Sequence, residues 1–336
     1  QNIVFLYFVL FLMGAQSAMF APIKYSVLPQ YLERSELVGG NGLVQGSTFL
    51  AIIFGTILGN ELILTEFGVA IVSVVVVSVA VIGFVAALFA PPAPPVGEGE
   101  RVDWLIPRAI WRLLRMVIAN RAAFRTMLFI SWFWFLGATF LSLLPAYAKE
   151  ELGVDEGVLT VLLAAFSVGV AIGALVTERL SRGRVGVALA PLGALGLAVM
   201  AVELWMATPP DPEPGAALLS RAEFFADLSG WRSLADFTLL AAFAGLYVTP
   251  LNAVLQSESP DDRRASYIAC ANVVDSCFMV GSAITVGILV AFGVPTAEVL
   301  VLLTLTALPM AFLTARHAPR TRIGRIALRL WPRGPG

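Results

Sequence analysis

Asp275 stands in the run ASYIACANVVDSCFMVGSAI with ten uncharged residues before it and twenty-two after it. A carboxylate in so apolar a helix faces a water-filled crevice, pairs with a cation, or is held by hydrogen bonds from a neighbouring helix. Asn272, one turn earlier, puts a second polar group on the same stripe. Lys24 follows Pro22 in APIKY, where the proline frees a backbone carbonyl and bends the helix. A cation there suits a phosphate contact or an inner gate, or it snorkels to the interface. Two amide pairs complete the set. Asn41 and Gln45 lie four apart in GGNGLVQGS, and Asn252 and Gln256 lie four apart in YVTPLNAVLQ, after Pro250. Four residues apart on a helix is one face, so each pair reads as a half-site or as a packing contact between helices.

No catalytic set accompanies these groups. The chain has no phosphate-cradling glycine loop and no nucleophile elbow, and its single histidine, His317, lies among arginines where a metal site is not expected. The reading is therefore not an enzyme, with no cofactor, no metal and no nucleic-acid partner. Cys270 and Cys277 are seven apart in one apolar run, so one helix face is expected for both and no disulfide between them.

The elements that must carry these residues are membrane helices. The 336 residues are 58% hydrophobic and 13% charged, with mean hydropathy +0.85, far too apolar for a soluble domain. Uncharged runs fall at 1–23, 37–60, 67–97, 126–148, 157–177, 185–202, 237–257 and 299–315, and a ninth, 265–297, is broken only by Asp275. A helix needs roughly 20 residues to cross a bilayer, so the fold class is all-α integral membrane with nine spans. Lysine and arginine divide 19 to 3 between the two sets of connections, which alternate across all nine spans. The richer set is expected in the cytoplasm.

Residues 1–90 hold three spans, 91–125 a basic linker, 126–315 six spans, and 316–336 a basic tail. Three against six suggests two six-helix halves with three helices missing from the front, and the opening inside an apolar run fits a fragment. The stretch 103–118 has Trp104, Ile110, Trp111, Leu114 and Ile118 opposite Arg108, Arg112 and Arg115, which reads as an interfacial helix. The segment 208–231 reads as an external loop with a short amphipathic helix. Glu178, Arg179, Arg182 and Arg184 form a charged turn that anchors the inner face or steadies one conformation. Gly42 and Gly46, Gly55 and Gly59, and Gly169 and Gly173 permit close helix approach. Trp132 and Trp134 suit an interfacial belt or the walls of an apolar cavity.

The stretches FAPIKYSVLPQYLERSELVGGNGLVQGSTFLAIIFGTILG, SWFWFLGATFLSLLPAYAKEELG and GLYVTPLNAVLQ resemble the bacterial lysophospholipid transporters of the major facilitator superfamily, above all the forms fused to an acyltransferase and an acyl-ACP synthetase. The resemblance covers helices four to twelve of a twelve-helix bundle. It implies a carrier in the bacterial inner membrane that brings lysophospholipid, notably lysophosphatidylethanolamine, to the inner leaflet for reacylation. It places the family's Pro-x-Lys-Tyr lysine on Lys24 and its eleventh-helix carboxylate on Asp275. Leu141 stands where stand-alone members carry an arginine, and the family's first-helix aspartate falls outside this chain. An exporter of amphipathic drugs and a membrane anchor for fused enzymes are the alternatives.

Overall fold

The computed structural model describes residues 3–63, 65–93, 105–181, 185–208 and 217–317. Twelve helices account for most of them. They are α1 (Ile3–Tyr31), α2 (Leu37–Ile63), α3 (Gly68–Leu88), α4 (Ile106–Ala119), α5 (Arg121–Ala146), α6 (Glu156–Ser181), α7 (Ala190–Ala207), α8 (Arg221–Phe224), α9 (Leu228–Glu258), α10 (Arg264–Ala291), α11 (Thr296–Thr304) and α12 (Ala307–Arg316). A π-helical turn, Tyr147–Glu151, extends α5, and α11 and α12 together make one span. Among the described residues nine segments are long and apolar enough to cross a bilayer, and the protein is a multi-pass membrane protein. No strand forms among those residues beyond one isolated bridge, Val154 to Leu219. Backbone groups inside hydrocarbon have no water to bond, so each helix satisfies its own.

The helices after the linker make the dense part of the molecule. There α9 is central, packed along α6 and α7 and crossed by α5. Small residues make that approach possible. A Cβ on Gly173 would stand 1.9 Å from the Ala242 carbonyl oxygen, and one on Gly169 would stand 2.2 Å from that of Thr238. Helices in lipid gain little from the hydrophobic effect and associate through such close packing. Gly42 acts the same way between α2 and α6, but Gly55 and Gly59 have nothing within 4 Å of a Cβ. That glycine pair therefore packs against no described helix.

The helices before the linker are looser. Most of α1 up to Phe20 and nearly all of α3 present side chains outward, as suits helices that are apolar on every side. The bundle has a basic end, where α1, α3, α6, α9 and α12 finish and α2, α5, α7 and α10 begin. There the linker helix α4 lies against α5 and α10, with Val117 fully buried and the Arg115 guanidinium over the Trp111 ring at 5.1 Å. Asn120 joins α4 to α5, accepting from the Ala123 amide (3.2 Å) and donating to the Glu258 carbonyl (2.9 Å). Trp104, Arg101, Arg182, Arg184 and the tail from 318 onward lie outside the described residues, as does 209–216 of the opposite loop. What is described of that loop includes the single turn α8, closed by a capping box between Ser220 and Glu223.

Candidate functional site

Two cavities lie between α1 and α2 on one side and the later helices on the other. The larger, about 450 Å³, is walled by apolar side chains, among them Phe49, Ile53, Phe133, Phe140, Leu163 and Leu197. Its size falls in the range of small-ligand sites, roughly 300–1,000 Å³. The smaller, about 50 Å³, is lined by Asp275, Asn272, Gln45, Asn252 and Gln256, together with Ile268 and Ala271. Tyr25, Gln45 and Trp134 border both, so the polar chamber and the apolar cavity adjoin, with these three side chains between them. The chamber lies nearer the basic end, since its α2 and α9 residues fall within the helical turns next to Leu37 and Glu258.

Asp275 is buried and its Oδ1 lies 2.5 Å from the Ser131 hydroxyl of α5. Both alternatives open for a carboxylate in this position thus hold together: it lines a cavity and it is hydrogen-bonded between helices. Ser131 also lies 3.0 Å from the Met127 carbonyl, one turn back on its own helix. The Leu37, Val38 and Ala253 side chains form a separate apolar cluster at the basic end, with Leu32 and Val185 against it.

The amide pairs face each other between α2 and α9. Asn41 and Gln256 exchange two hydrogen bonds, Nδ2 to Oε1 at 2.8 Å and Nε2 to Oδ1 at 2.9 Å, and both side chains are essentially fully buried. Asn252 donates to Gln45 across a longer 3.4 Å. Asn41 Nδ2 also reaches the Leu37 carbonyl (2.8 Å), and Arg264 Nε holds the Gln256 carbonyl (3.0 Å). Buried amides left without partners would each cost about 1–3 kcal/mol, so the reciprocal pair holds α2 and α9 in register.

Lys24 sits apart from this group. It is half-buried, 3.5 Å from the Thr48 hydroxyl and 4.8 Å from the centre of the Tyr25 ring, and it borders neither cavity. Thr48 and Tyr25 do line the larger one, so Lys24 stands behind its wall. Glu178 lies over the first turn of α2, where a Cβ on Gly39 would meet its Cγ at 3.0 Å. A carboxylate there faces the positive end of the helix dipole.

One expectation changes. Trp132 neither forms a belt nor walls the cavity: it is buried, with its indole N–H donated to Thr306 Oγ1 at 3.0 Å and its ring edge-on to Tyr247. Trp134, two residues on, points the other way and lines both cavities. Cys270 is buried and Cys277, two turns further along α10, is exposed. Ser131 and Tyr25 were not singled out in the sequence. Tyr25 stood inside the quoted Pro-Ile-Lys-Tyr stretch, but a lone serine before Trp132 carries no pattern of its own.

The chain belongs to the Major Facilitator Superfamily, whose sequence pattern matches residues 1–276. Within that superfamily it is similar to proteins named lysophospholipid transporter LplT. It is 27% identical to that of Photorhabdus laumondii over 308 residues, 88% of this chain and 71% of that protein. It is 28% identical to that of Klebsiella pneumoniae strain 342 over 294 residues, 86% of this chain and 68% of that protein. The resemblance to lysophospholipid transporters of this superfamily, drawn from the three quoted stretches, is borne out.

Proposed function

We propose that the protein carries lysophospholipid across the bacterial inner membrane by alternating access, with lysophosphatidylethanolamine as substrate and the basic end in the cytoplasm. The observation that carries this reading is that the two cavities adjoin. A single acyl chain needs an apolar volume, and a zwitterionic head needs an acid for its ammonium and donors for its phosphate. The larger cavity supplies the first. Asp275 supplies the acid, and the Asn272, Gln45, Asn252 and Gln256 amides supply donors, within the chamber that adjoins it. Charge-assisted bonds of an ammonium to a carboxylate are roughly twice as strong as neutral ones, so Asp275 fixes which way round the lipid lies. Lys24 then acts as a second contact for the phosphate on its way past Tyr25. The lysophospholipid delivered inside is the substrate of an acyltransferase, fused or separate. The relatives carry transporter names that fit this assignment.

An exporter of amphipathic drugs would need the same apolar volume. Cells that express the protein, given labelled lysophosphatidylethanolamine or a lipophilic dye, separate the two. Conversion of the label to diacyl phospholipid, dependent on the protein, supports the proposal. Dye efflux without lysolipid conversion would replace it.

A further inference from the structure

Three of the hydrogen-bonding groups that line the polar chamber also bridge α2 and α9 on its basic side. Gln45, Asn252 and Gln256 border the chamber, and each is engaged across the halves, Gln45 with Asn252 and Gln256 with Asn41. Resting on the reading above, we propose that a lysophospholipid head group opens the path toward the basic end by taking these amides for itself, so that recognition and release are one event.

The geometry grades the two rungs. The rung nearer Asp275, Asn252 to Gln45, is long at 3.4 Å, and both of its amides border the chamber. The second rung is short, doubled and buried, and only its Gln256 side borders the chamber. A phosphate entering the chamber meets the weak rung first, and the strong rung then loses Gln256 to it. Both rungs are neutral and, among the described residues, Asp275 is the only charged one lining the chamber, so these rungs are not ion pairs that ionic strength would loosen.

The backbone allows the movement. Pro250 lies within α9, between the well-buried stretch Phe237–Val248 and the ladder residues Asn252 and Gln256. Proline removes the amide that would bond the carbonyl four residues back, so the helix bends there more readily than elsewhere. Beside the ladder, the small apolar cluster of Leu37, Val38 and Ala253, with Leu32 and Val185 against it, and the approach of α2 to α6 at Gly42 part with it.

This mechanism separates polar from merely apolar ligands. Hexadecanol can fill the apolar cavity but brings no phosphate to the amides. The test uses Ala271, a buried residue of the chamber. Ala271→Cys, with Cys270→Ala and Cys277→Ser, is labelled with a membrane-impermeant maleimide added from the basic side in inverted vesicles. Palmitoyl lysophosphatidylethanolamine is expected to raise the labelling rate about tenfold, and hexadecanol to leave it within about twofold. Asn41 does not border the chamber, so Asn41→Leu breaks the strong rung from outside the site. It is expected to label fast without ligand and to gain little from lysolipid. Asn41→Gln with Gln256→Asn keeps both bonds and restores low starting labelling.

An equal rise with hexadecanol, or slow starting labelling in a folded Asn41→Leu, overturns the proposal. If labelled lysolipid is retained by the purified protein but labelling does not rise, this inference alone fails. If no lysolipid is retained, the assignment of the substrate fails with it.

Discussion

Ser131 and Asp275 meet at 2.5 Å between α5 and α10, while the same serine hydroxyl lies 3.0 Å from the Met127 carbonyl. One hydroxyl proton cannot serve both acceptors. With Asp275 ionised, the proton goes to the carboxylate. With Asp275 protonated, the acid donates to the serine oxygen and the serine turns to Met127. The contact thus survives either state, and only its direction changes.

Ser131→Ala removes that adjustable partner without touching the acid. A hydrogen bond to a charged group contributes about 1.5–3 kcal/mol, so lysophosphatidylethanolamine affinity is expected to fall roughly tenfold. Equilibrium binding of the labelled lipid in detergent measures it, and an unchanged affinity would mean that Ser131 does not shape the carboxylate.

Gly137 borders the apolar cavity, and nothing lies within 4 Å of a Cβ built on it. Gly137→Phe therefore places a ring in the cavity rather than in a neighbour. Excluding two methylenes of a bound chain costs about 1.6 kcal/mol, roughly fifteenfold in affinity. Palmitoyl lysolipid is expected to lose that much while a decanoyl analogue loses under about twofold. Equal losses would place the chain elsewhere.

Gly173 lies at the tightest approach of α6 to α9. Gly173→Ala is expected to lower the melting temperature and the yield of monodisperse protein, since overpacking costs typically about 1–3 kcal/mol. Gly55→Ala and Gly59→Ala, in open surroundings, are the controls and are expected to melt with the parent. Equal melting of all three variants would remove the close approach as the reason for Gly173.

The Glu223 carboxyl accepts from the Ser220 backbone amide and hydroxyl, which holds its pKa below the usual glutamate range. A depressed acid stabilises the fold above its unfolded pKa and loses that contribution as the pH falls through the folded one. Hydrogen exchange across 217–226 is expected to be slow at neutral pH and to lose protection as the pH falls below the usual glutamate range, after correction for the intrinsic rate. Ser220→Ala is expected to show that loss at every pH.

Much of the architecture was legible because hydrocarbon admits so few solutions. Charge-free runs of helical length give nine spans, and all nine appear. The amide pairs were legible as pairs, since spacing of four on a helix is a statement about one face. Their mutual bonding was not, because nothing in a single sequence brings Asn41 to Gln256 across 215 positions. Lys24 shows the opposite limit. Its charge stood out in an apolar stretch, yet the structure places it behind the Tyr25 wall and away from Asp275, a separation set by the turn of α1. Trp132 and Trp134 were equivalent by type, and only the packing of α5 against α9 and α10 sends one into the core and the other to the cavities.

The account turns on Asp275 reading an ammonium at the foot of an apolar cavity. Its most direct test is the binding of two lipids with the same palmitoyl chain, lysophosphatidylethanolamine and lysophosphatidic acid, to the parent protein and to Asp275→Asn. The expected result is a loss of about tenfold or more for lysophosphatidylethanolamine alone, the scale of one charge-assisted bond. Equal affinities of parent and variant for lysophosphatidylethanolamine, or equal losses for both lipids, would contradict it.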